Sequence, residues 1–410
     1  MFRRRRARRW CRGGPRRVIG YDETPGTQTG SHNLILGTSQ AYTSYGALLA
    51  GSGNTASGAD SSVLGNGDVA RGTDSTVTGG RLGVANAADS TVTGGYDNRA
   101  TAIYGVVNGG CHNLAGAGTI GTVPQLCQNA GDFSEVAGGV ANQASGTDAT
   151  VSGGEGGLAS GDQASVSGGN ANQATGTFAP WAAGGFDNLS SGSSTAAVGG
   201  DGNTVGPASS DPVGGDANAA AIGGAFGSAT GPDSAIVGGQ SNSAPGDEAT
   251  VTGGDSNQAS GSNAAVSGGE SNQATGDASA AAGGDDNVAS GKYSAVGAGG
   301  SNQAEGSFSS VEGGAHNVAL TQADSVTGGD QNTASGNYSS VSGGYQGAVS
   351  GLWGSIAAGY QNKVEGELGS VVGGEGNDVQ SGGTYAAILG GSFNALTSQC
   401  TSIPAYQSSC

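Results

Sequence analysis

One phrase recurs from about residue 39 to residue 394: a Val or Ile, one small residue, Gly-Gly, two variable residues, Asn, one residue, Ala, a Ser or Thr, and Gly. Its clearest pitch is 15 residues, so the chain is expected to fold by stacking like units and not around one globular core. Val251, Val266, Val326, Val341, Ile356 and Val371 share that grid, each followed by a Gly-Gly pair or by its Ala358-Gly359 variant. A second row holds Asn142, Asn172, Asn242, Asn257, Asn272, Asn287, Asn317, Asn332, Asn362 and Asn377. Ala144, Ala174, Ala259, Ala274 and Ala334 make a third, which divides each repeat into two half-turns of nearly equal length.

Composition agrees with stacking. The chain holds 85 Gly but only 21 Phe, Tyr and Trp among 410 residues, too few large side chains for ordinary cores. So much Gly, Ser and Asn by itself suggests disorder, but a disordered chain has no reason to keep Val, Gly-Gly and Asn in phase. Helix is excluded as the main element, because each interior Gly costs about 1 kcal/mol relative to Ala. Short strands with Gly corners fit: Ser340-Val341-Ser342 alternates out, in and out, and Gly343-Gly344 supplies the turn. The Asn is expected to take the left-handed conformation or to bond to neighbouring backbone, and to reach the Asn of the next coil. The predicted fold is all-β, a parallel β-roll or β-solenoid of about 23 coils, on the order of 110 Å long at the ordinary strand spacing. One Val and one Ala per coil bury little surface. A second buried surface is therefore expected, and Ala265, Ala280 and Ala295 would let chains approach closely.

These repeats resemble the head domain of trimeric autotransporter adhesins, the YadA-like left-handed parallel β-roll. The copies that carry the resemblance are Ser325-Val326-Thr327-Gly328-Gly329-Asp330-Gln331-Asn332-Thr333-Ala334-Ser335-Gly336 and Ser340-Val341-Ser342-Gly343-Gly344. The resemblance implies a left-handed roll, a homotrimer, display on the outer surface of bacteria or secretion, and adhesion in virulence. It covers nearly all of the chain after residue 38. No heptad stalk or alternating membrane strands are read after the roll. The expectation is either a fragment or another kind of secreted or virion-associated rod.

Along the chain, residues 1–17 read as a basic, disordered tail with nine Arg. The rest holds five Lys and Arg against 32 Asp and Glu, a balance of −27. An acidic body disfavours nucleic acid and favours a basic or collagen-like partner in a host or matrix surface. No apolar segment of signal-peptide length follows the arginines, so export rests on the roll alone. Residues 18–50 read as an N-terminal cap and first coils, with Tyr42, Tyr45 and bulkier aliphatics. Residues 51–396 form the repetitive roll, with an insertion near 114–134 and an irregular stretch at 178–224, and residues 397–410 form a C-terminal tail. A Cys111 to Cys127 disulfide would close the insertion, and Cys400 with Cys410 would pin the tail, leaving Cys11 odd. Trp181 and Trp353 break rows of small residues; burial or edge packing is the favoured expectation, and surface contact the alternative.

No enzyme constellation emerges. His32, His112 and His316 lack metal-ligand spacing, and the many Ser belong to the repeat and not to a triad. Asp216, Asp255, Asp285 and Asp330 share a corner that elsewhere holds Asn170, Gln240 or Tyr345, so no cofactor is expected beyond scattered weak calcium binding. Thr76, Thr78, Thr91, Thr93, Thr250 and Thr252 are too isolated to make an ice-binding face. The expected function is a non-enzymatic surface or secreted rod, an adhesin head holding its ligand multivalently, with a ligand-free spacer or fibre segment as the alternative.

Overall fold

In a computed structural model the described residues are 17–19, 27–110, 112–118, 134–206 and 218–403. The protein is an all-β parallel solenoid of about 23 coils. It divides into two compact units, Met1–Asp187 and Asn188–Cys410.

The coil from Asn257 to Glu270 shows how the sequence builds the unit. Gln258–Ala259 forms one short strand and Ala265–Val266 the other. The side chains alternate: Gln258 and Ala265 face outward, while Ala259 and Val266 are buried. Asn257 and Ala264, each immediately before a strand, are also buried. The interior of a coil is therefore a short column of Asn, Ala, a small residue and Val. That explains how so few large residues suffice.

Each coil then pairs in register with the next. Thr250 aligns with Ala265, Ala265 with Ala280, and Ala280 with Ala295, all parallel. The opposite strands do the same: Gln258 aligns with Gln273 and Gln273 with Val288. The N–H of Thr250 donates to the Ala264 carbonyl and that of Thr252 to the Val266 carbonyl, both at 2.9 Å. Strand donors of one coil thus find acceptors in the next, as a buried backbone requires.

The two glycines of a pair have different jobs. Gly269 has φ +87°, and a Cβ there would collide with the Gly284 carbonyl oxygen of the next coil and with the Asn272 amide. A Cβ at Gly283, the first of its pair, meets nothing. Ala298 and Ala358 take this first position, and Gly299 and Gly359 follow them. The third glycine, Gly261, is held by closeness and not by φ: a Cβ would strike the Gly276 carbonyl.

The first unit departs from the 15-residue pitch at its start. Leu34 pairs with Leu48, Leu48 with Ser62 and Ser62 with Thr76, a pitch of 14 that becomes 15 from Thr76 to Thr91. A register irregularity between Leu64 and Asn66 marks the change. Here the strands run to five residues, Leu34–Thr38 and Leu48–Ser52, and Ile35, Leu49 and Tyr42 fill a wider interior. Tyr42 aligns with Ala56 of the next coil and is buried, whereas Tyr45 is exposed. Arg17–Ile19 pairs with Leu34–Leu36, and residues 1–16 of the expected basic tail lie outside the described residues.

Insertions leave the ladder intact. Val106 pairs with Glu135 and Leu114 with Gln143, and the N–H of Asn142 reaches Asn113 Oδ1 across 29 residues. In the second unit Ala196 pairs with Ala220, and the Gly227 N–H donates to Asn203 Oδ1 across 24 residues. Residues 119–133 and 207–217 lie outside the described residues.

Candidate binding edge

The expected core residues Val251, Val266, Val326, Val341, Ile356 and Val371 are each at most 1% exposed. The Asn row is equally buried, and each side chain makes the same three bonds. Asn257 Nδ2 donates to the carbonyl of Gly253 in its own coil and to that of Gly269 in the next, and its Oδ1 accepts from the Asn272 N–H. Asn242, Asn272, Asn287, Asn317, Asn332 and Asn362 repeat the two Nδ2 bonds. Of the two expectations for the Asn, bonding to backbone and to the next coil's Asn holds, and the left-handed residue is the one before it, such as Ser256 at φ +58° or Ser271 at φ +56°. The buried Asn amide closes the corner of its own coil and bridges to the next. These rows form the frame and leave no chemistry exposed.

What the frame exposes lies at its corners. A second left-handed position falls three residues before each Val of the core row. In the first unit it holds Asp60, Asp74, Asp89 and Asp148, and Tyr104, Gln163 and Ala179 in other coils. Asp tolerates this conformation because its short side chain bonds locally. Earlier coils of the second unit hold Asp233, Glu248, Asn263 and Ala278 there, but its later coils hold Tyr293, Phe308, Ala323, Tyr338, Trp353, Leu368 and Tyr385 in succession. Bulky residues at positive φ are outliers on steric grounds, so a column of them is a sign of use and not of propensity.

The column is a stacked edge. Tyr293 lies on Phe308 with ring centroids 5.0 Å apart and planes 19° from parallel. Tyr338 lies on Trp353 at 4.4 Å and 8°. The spacing is the coil rise itself, so the solenoid sets the ring interval. Both pairs remain open to solvent, with Phe308 59% and Trp353 52% exposed. A shorter stack, Tyr345 on Tyr360 at 5.3 Å, occupies the other corner. Gln331, Gln346 and Gln361 run beside it in an amide ladder of 2.7 Å bonds.

Trp181 and Trp353 both lie outside the interior of the chain. The interior admits nothing wider than Val, Ile or Leu in these coils, so a ring must lie outside. Trp353 belongs to the aromatic column. Trp181, in the first unit, sits on the outward side of the strand Trp181–Ala183, is 42% exposed and donates from Nε1 to Ser167 Oγ at 2.9 Å. Sequence reading singled out Trp353 and missed its neighbours. Their common offset from the Val row was the available signal.

Cys400 is disulfide-bonded, and Cys111, Cys127 and Cys410 lie outside the described residues. His316 Nδ1 lies 3.2 Å from Asp330 Oδ1 on an exposed corner. Among the described residues no group of three or more His, Cys, Asp or Glu is placed to hold a metal ion, and Asp216 lies outside them. Among them, no helix is long and apolar enough to cross a membrane. In comparisons with known proteins, no family model matches the chain, and no curated protein matches it.

Proposed function

We propose that this β-solenoid scaffold is a non-enzymatic adhesin head, displayed at a bacterial surface or secreted, that assembles as a homotrimer and holds a host or matrix surface through many weak contacts. The observation that carries the reading is the division of labour between inside and outside. Val, Ala and Asn fill the interior, while Tyr293, Phe308, Tyr338, Trp353 and Tyr385 stand exposed in one column at strained corners. A pure spacer has no use for such a column. Identical edges on three protomers would multiply a weak contact into a firm one through effective concentration.

The spacer reading draws support from the outward strand positions Ala265, Ala280, Ala295, Ser310 and Ser325, which offer no distinctive contact group. Two measurements on the full chain separate the readings. Sedimentation equilibrium with and without reductant is expected to give three times the protomer mass in both. Adhesion to matrix-coated surfaces is expected to fall when Tyr338 and Trp353 are replaced by Ser while circular dichroism stays unchanged. A folded single-protomer mass sinks the trimer, and unchanged adhesion leaves the spacer.

A further inference from the structure

Within the column two positions lack a ring, Ala323 and Leu368, and Ala323 carries only a methyl group. Ala323 takes the left-handed position, φ +53°, between Phe308 at φ +60° and Tyr338 at φ +61°. Its N–H donates to the Ser307 carbonyl of the Phe308 coil, and the Tyr338 N–H donates to the Gln322 carbonyl beside Ala323, so the three positions are in strict succession. One face of Phe308 is covered by Tyr293 and one face of Tyr338 by Trp353. The two uncovered faces therefore look toward each other across the Ala323 coil.

We infer that this gap is a ligand slot for a neutral pyranose ring of a saccharide, and that Phe308 and Tyr338 are its walls. The inference deepens the adhesin reading and rests on it for its biological setting, although the slot itself does not depend on trimerisation. Two coil rises separate the walls by roughly 9.6 Å. A flat aromatic group touching both walls needs only about 7 Å, given carbon contacts near 3.5 Å. A chair-shaped sugar is thicker and carries C–H groups on both faces, so it fills the interval at contact distances of about 4 Å.

The rim has the matching polarity. Ser307, Gln322 and Asn337, each just before a column position, are exposed amides and hydroxyls, and Ser310, Ser325 and Ser340 flank the other side half-buried. These groups suit sugar hydroxyls, as sparse polar groups around an apolar contact surface do in small-molecule sites. Charge argues against an anionic occupant. Residues 218–403 hold 16 Asp and Glu against two Lys, yet residues 331–362 contain no Asp, Glu, Lys, Arg or His. The acidic side chain in the Ala323 coil next to the slot, Asp324, is turned inward, bonded to Thr321 and Ser339. The Tyr338 wall thus lies in an uncharged stretch, while the Phe308 coil carries the exposed Glu305 and Glu312, so what charge borders the slot is negative and disfavours an anionic ligand.

The test uses the full chain with cellotriose, chitotriose and maltotriose as probes, measured by saturation-transfer NMR and titration calorimetry. At least one is expected to bind. Ala323→Trp places a ring in the slot at a position where Trp353 shows that a Trp folds, and it is expected to abolish binding. Phe308→Ser and Tyr338→Ser are expected to weaken it by about tenfold each, the range of one lost aromatic contact. Tyr45→Ser, at an exposed position in the first unit, is expected to leave it unchanged. Absence of binding by all three sugars, or equal binding by Ala323→Trp with an unchanged dichroism spectrum, overturns the slot. Parallel adhesion assays keep the two readings apart. Adhesion that persists in Ala323→Trp removes the slot from the adhesin mechanism, and sugar binding without any surface adhesion removes the adhesin reading while the slot stands.

Discussion

The backbone N–H of Asn272 donates to Oδ1 of Asn257 at 2.9 Å, and through that bond the corner of one coil holds the start of the next. The same relation joins Asn287 to Asn272 and Asn302 to Asn287, each at 3.0 Å. The repeat is therefore stitched together by its side chains as well as by its strand ladders. Each Asn uses both of its amide protons and its oxygen, so no other residue of that size substitutes without an orphaned group.

Replacing Asn272 by Ala leaves the carbonyl of Gly268 and the N–H of Asn287 without a partner, while the Gly284 carbonyl keeps the Glu270 N–H. Unsatisfied buried groups cost about 1–3 kcal/mol each, so the variant is expected to lose at least about 2 kcal/mol after partial relaxation. Urea unfolding followed by circular dichroism measures the loss. A midpoint equal to that of the wild type would show that the ladder is incidental.

The glycine pair offers a paired control. Gly283→Ala is expected to be neutral within about 0.5 kcal/mol, because its Cβ enters open space. Gly284→Ala is expected to cost several times more, because φ is +86° and its Cβ would meet the Gly299 carbonyl and the Asn287 amide. Thermal melts of the two variants test the contrast, and similar melting points would refute the assignment of the turn to the second glycine.

Asp68 stands in the Asn row of the first unit. Its Oδ1 accepts from the Gly83 N–H at 2.7 Å, as an Asn would, but its buried Oδ2 has no partner. In the preceding coil Asn54 Nδ2 donates to the Ala50 and Gly65 carbonyls. Burial raises the Asp68 carboxyl above its ordinary value of 3.8, against the lowering effect of the Gly83 and Asn66 amides. With the folded value above the unfolded one, the folded state holds the proton more tightly. Stability is then greatest below the unfolded value and falls as pH rises through the window up to the folded value. Asp68→Asn is expected to stabilise the protein at neutral pH, with a difference that shrinks in acid. A pH-independent difference between the two proteins would contradict this account.

Ser279, Ser294 and Ser309 occupy consecutive coils in the row that holds Ala249 and Ala264 earlier in the unit, and their buried hydroxyls have no partner. Elsewhere such a hydroxyl is used: Ser61 Oγ donates to the Gly58 carbonyl at 2.9 Å. Ser294→Ala is expected to stabilise by about 1 kcal/mol, because it removes an unpaired polar group without changing volume much. Loss of stability on calorimetric unfolding would show that the hydroxyl is bonded in solution.

The sequence by itself determined the architecture. A Val, a Gly pair and an Asn at fixed phase leave one solution, because only stacked short strands use a period of 15 with two half-turns and so little apolar volume. It also marked Val266 and Asn272 as structural, since a residue that recurs in every coil serves the coil. The tertiary structure alone decided which corner residue is left-handed, because Asn272 and Ser271 are both plausible there and only the closure of Nδ2 on two carbonyls separates them. It alone decided that Phe308, Tyr338 and Trp353 share an edge. Residues 15 apart are distant along the chain, and only parallel stacking at the coil rise sets their rings face to face.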